Sequence, residues 1–180
     1  MSRATTTILC VLAFGLGAVA DREYRAIRAP HGTYARIAHV GILTPDLNRT
    51  LQKLTTLGFT DVEMSPPVTT CATYHGQDIE CALKKAWIRG TVPPIELMQP
   101  IADTPNPWSS ELTEHGEVLH HIAFDVPDAP SAVRAAHSVG MLPMAAGRWP
   151  MSATEWGTWD YVRDPAGAVI IEFLSQTSKK

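Results

Sequence analysis

The sequence predicts an α+β fold built from two tandem modules, each running strand, helix, strand, strand, strand. Three observations predict it. The stretch RIAHVGILTPDL (Arg36–Leu47) returns eighty-two residues later as VLHHIAFDVPDA (Val118–Ala129), a repeat at a fixed offset. Counted from His39 in one copy and His121 in the other, a Pro-Asp pair begins six residues on and a glycine (Gly58, Gly140) stands nineteen residues on. The 180 residues are 45% hydrophobic, enough for two small halves to share one core.

The chain opens on a segment of another kind. A charged start, the apolar run ILCVLAFGLGAV and the small-x-small end Ala18-Val19-Ala20 have the three parts of a secretory signal peptide over residues 1–20, with the mature chain beginning at Asp21. The run is too short to span a bilayer comfortably. The expectation is therefore an exported protein, periplasmic or secreted, with no membrane association after cleavage. Loss of Cys10 with the leader leaves Cys71 and Cys81, which flank TYHGQDIE. A three-residue turn His75-Gly76-Gln77 would set the two cysteines opposite each other, whereas a two-residue turn would place them one position out of register, where a bridge is harder to close. In an exported chain the pair reads as a disulfide, two buried thiols being the alternative.

The first module spans 33–101. Its opening strand HVGIL leads to a helix that Thr44 or Asp46 can cap, with Leu47, Leu51 and Leu54 on one face and Gly58 ending it in a left-handed turn. Strands are expected at DVEMS, at TCATYH, and from Ile79 to the end of PPIELMQP. Residues 102–116, rich in proline and polar side chains, read as a linker. The second module, 117–176, repeats the order: a strand at HHIAFD, a helix capped by Asp128 and ended by Gly140, then LPMAAGRW, TWDYVRD and AVIIEFL, the last two joined by the turn Asp164-Pro165-Ala166-Gly167.

Strand alternation sorts the polar residues. His39, Gly41 and Leu43 share one face, and His121 shares its face with Ala123 and Asp125. In the closing strands Glu96 lies between Ile95 and Leu97, and Glu172 between Ile171 and Phe173. A carboxylate placed so is costly unless paired, protonated or bound to a metal. One histidine and one such glutamate per module suggest a single shared site. His120 should face away from His121, and His31, His75, His115 and His137 fall in loops or on helix faces.

The paired motifs HVGILTPDL with IELMQP, and HIAFDVPDA with IIEFL, resemble the vicinal oxygen chelate (glyoxalase, bleomycin resistance, dioxygenase) superfamily over about Thr33 to Ser175. The layout is similar to methylmalonyl-CoA epimerase in its gap of roughly 25 residues between Glu96 and His121, and to bacterial glyoxalase I in its His/Glu/His/Glu set. The resemblance implies that the two βαβββ modules form one cupped, barrel-like sheet around one divalent metal ion. It implies His39, Glu96, His121 and Glu172 as the ligands, with Glu172 as the catalytic base and Glu96 as its counterpart across the site.

Two imidazoles and two carboxylates suit Ni, Co, Zn, Mn or Fe. The activity this points to is that of a lyase, isomerase or epimerase which chelates vicinal oxygens of a small carbonyl substrate and moves a proton next to the carbonyl. The alternatives are an extradiol-type ring-cleaving dioxygenase using His39, His121 and Glu172 with iron, and a non-catalytic protein that sequesters a small molecule. Trp108, Trp149, Trp156, Trp159 and Tyr161 could line an apolar pocket over the metal or form ordinary core; Arg148 and Arg163 could meet an anionic substrate or be exposed. A formal charge of −3 without a Lys/Arg cluster argues against nucleic acid and leaves a small molecule as the partner, with room for a homodimer.

Overall fold

The computed structural model describes residues 34, 36–101, 106–167 and 169–178, apart from the side chains of 68–71. The leader expected over 1–20 and the side chain of Cys71 lie outside the described residues. The elements in chain order are β1 (His39–Leu43), α1 (Leu47–Thr56), β2 (Val62–Tyr74), β3 (Gln77–Ile88), β4 (Ile95–Pro100), α2 (Pro107–His115), β5 (Val118–Asp125), α3 (Ala129–Ser138), β6 (Leu142–Pro150), β7 (Glu155–Arg163) and β8 (Ile170–Ser178). Each module is βαβββ, as the repeat requires.

The strands close into a barrel in the order β1-β4-β3-β2-β6-β7-β8-β5. β1 runs parallel to β4 and antiparallel to β5, and β5 runs parallel to β8. The modules thus meet along β1–β5, and β2 pairing with β6 over Cys71–Tyr74 and Ala145–Arg148 joins their far edges. Closure leaves no unpaired edge along these stretches.

Both module helices pack on the outside. Leu47, with Leu51 and Leu54, covers Ala86, Ile88 and Leu97, while Ala129, Ala132 and Ala136 cover Val162 and Phe173. Asp46 and Asp128 cap them, accepting from the backbone N–H of Arg49 at 3.0 Å and of Ser131 at 3.1 Å, worth about 1 kcal/mol each. Gly58 and Gly140 leave them at φ 95°, the left-handed conformation expected of the two repeated glycines. Thr44 is not the cap; its hydroxyl and that of Thr50 bond to Glu117 of the second module at 2.9 and 2.8 Å.

Three element boundaries differ from the sequence reading. DVEMS and TCATYH belong to one strand, β2, because Pro66-Pro67 falls at a register shift between Ser65 and Val68 and the strand resumes beyond it. The expected strand from Ile79 to Pro100 is instead two strands, β3 and β4, separated at 89–94 by Gly90, Pro93 and Pro94. The region read as a linker contains α2, started by Asn106 with Pro107 in the first turn and a reciprocal bond between Asn106 and Ser109. Trp108 and Leu112 of α2 pack into the inner core with Leu43, Met98 and Tyr161. The β2–β3 connection is a two-residue turn, with Tyr74 opposite Gln77, so Cys71 stands opposite Glu80 and Cys81 opposite Thr70. That is the register in which a bridge is harder to close.

Candidate metal centre

Four consecutive barrel strands, β4, β1, β5 and β8, each carry one of the four residues inferred from the sequence. Their registers form two rows. In one, Gly41 lies between Glu96 and His121; in the other, Ala123 lies between His39 and Glu172. The small residue at the centre of each row leaves space for larger side chains from the flanking strands. A Cβ on Gly41 would run into the imidazole of His121, so only glycine lets that ring lie across β1. Ala123 is fully buried.

The four side chains converge inside the barrel. Nε2 of His39 is 3.0 Å from Nε2 of His121, and Oε2 of Glu172 lies 3.0 Å from the first and 3.2 Å from the second. Oε2 of Glu96 is 3.4 Å from Nε2 of His39 and 3.8 Å from that of His121. All four residues are buried, at 6% exposure or less. The other oxygen of Glu96 accepts a hydrogen bond from Nζ of Lys85 at 2.7 Å.

This polar cluster is costly to bury, and opposite charges within it offset the cost. Burial alone would lower the His39 pKa; the carboxylates of Glu172 and Glu96, 3.0 and 3.4 Å from its Nε2, outweigh it and bring the value up to about 9. For Glu96, burial is opposed by the Lys85 charge and then by His39, which together hold the carboxyl well below its usual range. Burial of Glu172 is likewise overcome, by the charges of His121 and His39 at 3.2 and 3.0 Å. Burial, then the charges of Glu172 and Glu96, push the Tyr161 phenol well above its ordinary value, which keeps it a neutral donor beside Glu172. Nε1 of Trp108 donates to the Tyr161 hydroxyl at 3.4 Å.

The donor set fits a divalent cation. Oε2 of Glu172 has no hydrogen-bond partner although two imidazole nitrogens stand within 3.2 Å, because no N–H is aligned on it. Two ring nitrogens and an unpartnered carboxylate oxygen facing one point are in the arrangement that ligands take. Atoms bound at about 2.1 Å to one ion stand about 3.0 Å apart at a right angle and about 3.4 Å apart at the tetrahedral angle, and the separations here run from 3.0 to 3.8 Å. His39, His121 and Glu172 are the compact trio; Glu96 flanks it.

The histidine pair was misread from the sequence. Gly41 opposes His121 but Ile42 opposes Leu119, so β5 carries a bulge at His120. The bulge turns His120 inward as well; it is 4% exposed, and its Nδ1 lies 2.9 Å from Nδ1 of His121. Burial, then the His121 charge, lower its pKa to about 3, so it is a neutral ring. A bond on Nδ1 leaves Nε2 of His121 as the atom facing the cluster.

A cavity of about 430 Å³ opens onto His39, Glu96 and Glu172. Trp108, Trp149, Trp159 and Tyr161 line it, as the sequence allowed, but Trp156 does not; it stacks under the Arg148 guanidinium, 4.6 Å away. Arg163 pairs with buried Glu111, so neither arginine lines the cavity. Lys85 and Trp87 do line it and were missed. Their signal was the alternation Leu83, Lys85, Trp87 along one face of β3, hidden while β3 and β4 were read as a single strand.

The family model described as the glyoxalase/bleomycin resistance protein/dioxygenase superfamily matches residues 38–159. No curated protein matches the chain. Among solved structures, methylmalonyl-CoA epimerase from Mycobacterium tuberculosis is similar at TM-score 0.50 and 21% identity, over 83% of this chain and 94% of that one. A variant of the Streptomyces coelicolor epimerase in complex with 2-nitronate-propionyl-CoA gives 0.48 and 20%, over 78% and 96%. A 4-hydroxymandelate synthase variant from Streptomyces coelicolor gives 0.47 and 15%, over 80% of this chain and 49% of that one. At 21% identity the likeness to the Mycobacterium tuberculosis epimerase is one of fold.

Proposed function

The chain belongs to the glyoxalase/bleomycin resistance protein/dioxygenase superfamily, and we propose that within it the protein is a divalent-metal lyase or isomerase that moves a proton next to the carbonyl of a small substrate. The observation that carries this reading is the convergence of Glu172 and both histidines on one point at the cavity wall. His39, His121, Glu172 and Glu96 would hold a divalent ion, and the chemistry it would supply there is Lewis acidity toward neighbouring substrate oxygens. The two glutamates have different surroundings. Glu96 is fixed by Lys85, which makes it a holding group. Glu172 lines the cavity as Glu96 does but has the neutral Tyr161 hydroxyl rather than an ammonium beside it, so it is the group placed to take and return a proton. The aromatic walls exclude water from the carbanion-like state that proton removal creates.

A second reading, an iron-dependent ring-cleaving dioxygenase, is favoured by the compactness of the two-histidine, one-carboxylate trio. Export is part of the proposal and rests on the leader pattern of residues 1–20.

One experiment separates the readings. Protein loaded in turn with Ni, Co, Zn, Mn and Fe(II) is incubated in D2O with a panel of 2-hydroxy and 2-oxo carbonyl compounds, and separately with catechols under an oxygen electrode. Deuterium entering next to the carbonyl, lost in Glu172→Gln, supports the proton-transfer enzyme. Oxygen uptake with catechol and iron, without exchange, replaces it with the dioxygenase; ligand binding without either reaction replaces it with a binding protein.

A further inference from the structure

The cavity over the metal centre has walls of unusual uniformity. Four of the five tryptophans of the chain, Trp87, Trp108, Trp149 and Trp159, line it with Tyr161. Two of the indoles are seated by glycines in a reciprocal arrangement across the β6–β7 ladder. Gly147 pairs with Trp159 and Trp149 pairs with Gly157, and a Cβ on either glycine would run into the indole of its partner. Glycine weakens a strand, so two of them facing two indoles on one ladder favour flat rings over strand stability.

Ordinary core packing does not account for this wall. Protein interiors are close-packed, with few voids larger than a water molecule, yet these rings border a space of about 430 Å³. That volume falls in the lower half of the ~300–1,000 Å³ range of small-molecule pockets. Lys85 is the only lysine or arginine among the described lining residues; it retains a quarter of its side-chain exposure and has donors beyond the one on Glu96. Its ammonium therefore stands at the rim of the metal centre, next to walls that are mostly aromatic and aliphatic.

We propose that the ligand is a compact organic acid with a flat apolar body, its ring or branched chain against the indoles and an anionic oxygen on Lys85, rather than a thioester of a long polar carrier. The orientation rests on the metal-centre reading, since the oxygens next to the acid group are the ones brought to His39, His121 and Glu172. The lining supports the exclusion. A carrier arm of amides and phosphates needs polar partners along its length, and apart from the metal cluster and Lys85 the described lining offers only the hydroxyls of Ser65 and Tyr161 and the indole N–H groups.

The indoles provide the measurement. Tryptophan fluorescence of the full-length protein is titrated with phenylpyruvate, with its methyl ester and with acetyl-CoA, with metal content measured on each preparation. The proposal expects saturable quenching by the acid, binding about tenfold or more tighter than the ester. That ratio collapses toward one in Lys85→Met and is retained in Lys85→Arg. Tighter binding of acetyl-CoA than of the acid overturns it, as does an acid-to-ester ratio unchanged in Lys85→Met. If no preparation holds metal while the ratio still follows Lys85, the metal-centre reading fails and the ligand class stands; metal bound with a ratio indifferent to Lys85 sinks the ligand class alone.

Discussion

Gly41 on β1 lies directly opposite His121 on β5, and the imidazole occupies the volume that a Cβ at Gly41 would fill. The absence of a side chain at one position is thus what aims a ligand candidate contributed by the other module. Gly41→Ala should push the ring off the cluster while leaving the β1–β5 ladder paired. The expected outcome is metal binding weaker by roughly tenfold or more, with the circular dichroism spectrum of the parent. Parent-like affinity in a chelator competition would show that the ring has room to move.

His120 is a positioning residue in this arrangement. Its Nδ1 lies 2.9 Å from Nδ1 of His121, and truncating it leaves that nitrogen without its partner in a buried site. His120→Ala should lower metal affinity about 10–100-fold without removing a ligand. The measurement is the dissociation constant against a chromogenic chelator; an unchanged constant would mean the bond does not orient His121.

Asp160 gives a prediction that is read in stability rather than in metal binding. Burial, with a smaller contribution from the Glu172 charge, pushes its carboxyl up from 3.8 to about 6. The folded chain holds this proton more tightly than the unfolded chain, so stability is greatest below the ordinary carboxyl range and falls as pH rises toward 6. Asp160→Asn removes that loss. The variant should melt with the parent near pH 3.5 and above it at pH 7.5, in thermal scans at both values; no gain at pH 7.5 would contradict the assignment.

The repeat, the module order and the four converging residues were legible because each depends on spacing. An offset of eighty-two residues relates His39 to His121, and a mid-strand carboxylate between large apolar neighbours in each module's closing strand marks Glu96 and Glu172, without reference to tertiary contacts. What escaped depends on local exceptions to that period. The bulge at His120 inserts one residue and brings two successive histidines to the same side. Pro66-Pro67 resembled a strand break but sits at a register shift within β2, while the true break at 89–94 lay inside an apparent strand and concealed Lys85 and Trp87. Asn106-Pro107 is a helix-start signal that was outweighed by the proline-rich composition around it.

Export carries its own test. Mass measurement of material from the periplasm or medium should find an N-terminus at or near Asp21. An intact Met1 on protein confined to the cytoplasm would contradict it.

The central claim is that His39, Glu96, His121 and Glu172 hold one divalent ion. Its most direct measurement is elemental analysis, with chelator-competition titration, of the parent and of His39→Ala, His121→Ala, Glu96→Gln and Glu172→Gln. The account predicts one ion per chain in the parent and a steep loss of affinity in both alanine variants. Glu172→Gln should lose more turnover than metal, because the carboxylate also moves the proton. A parent that binds no divalent metal, or four variants that bind it as tightly as the parent, would contradict the account.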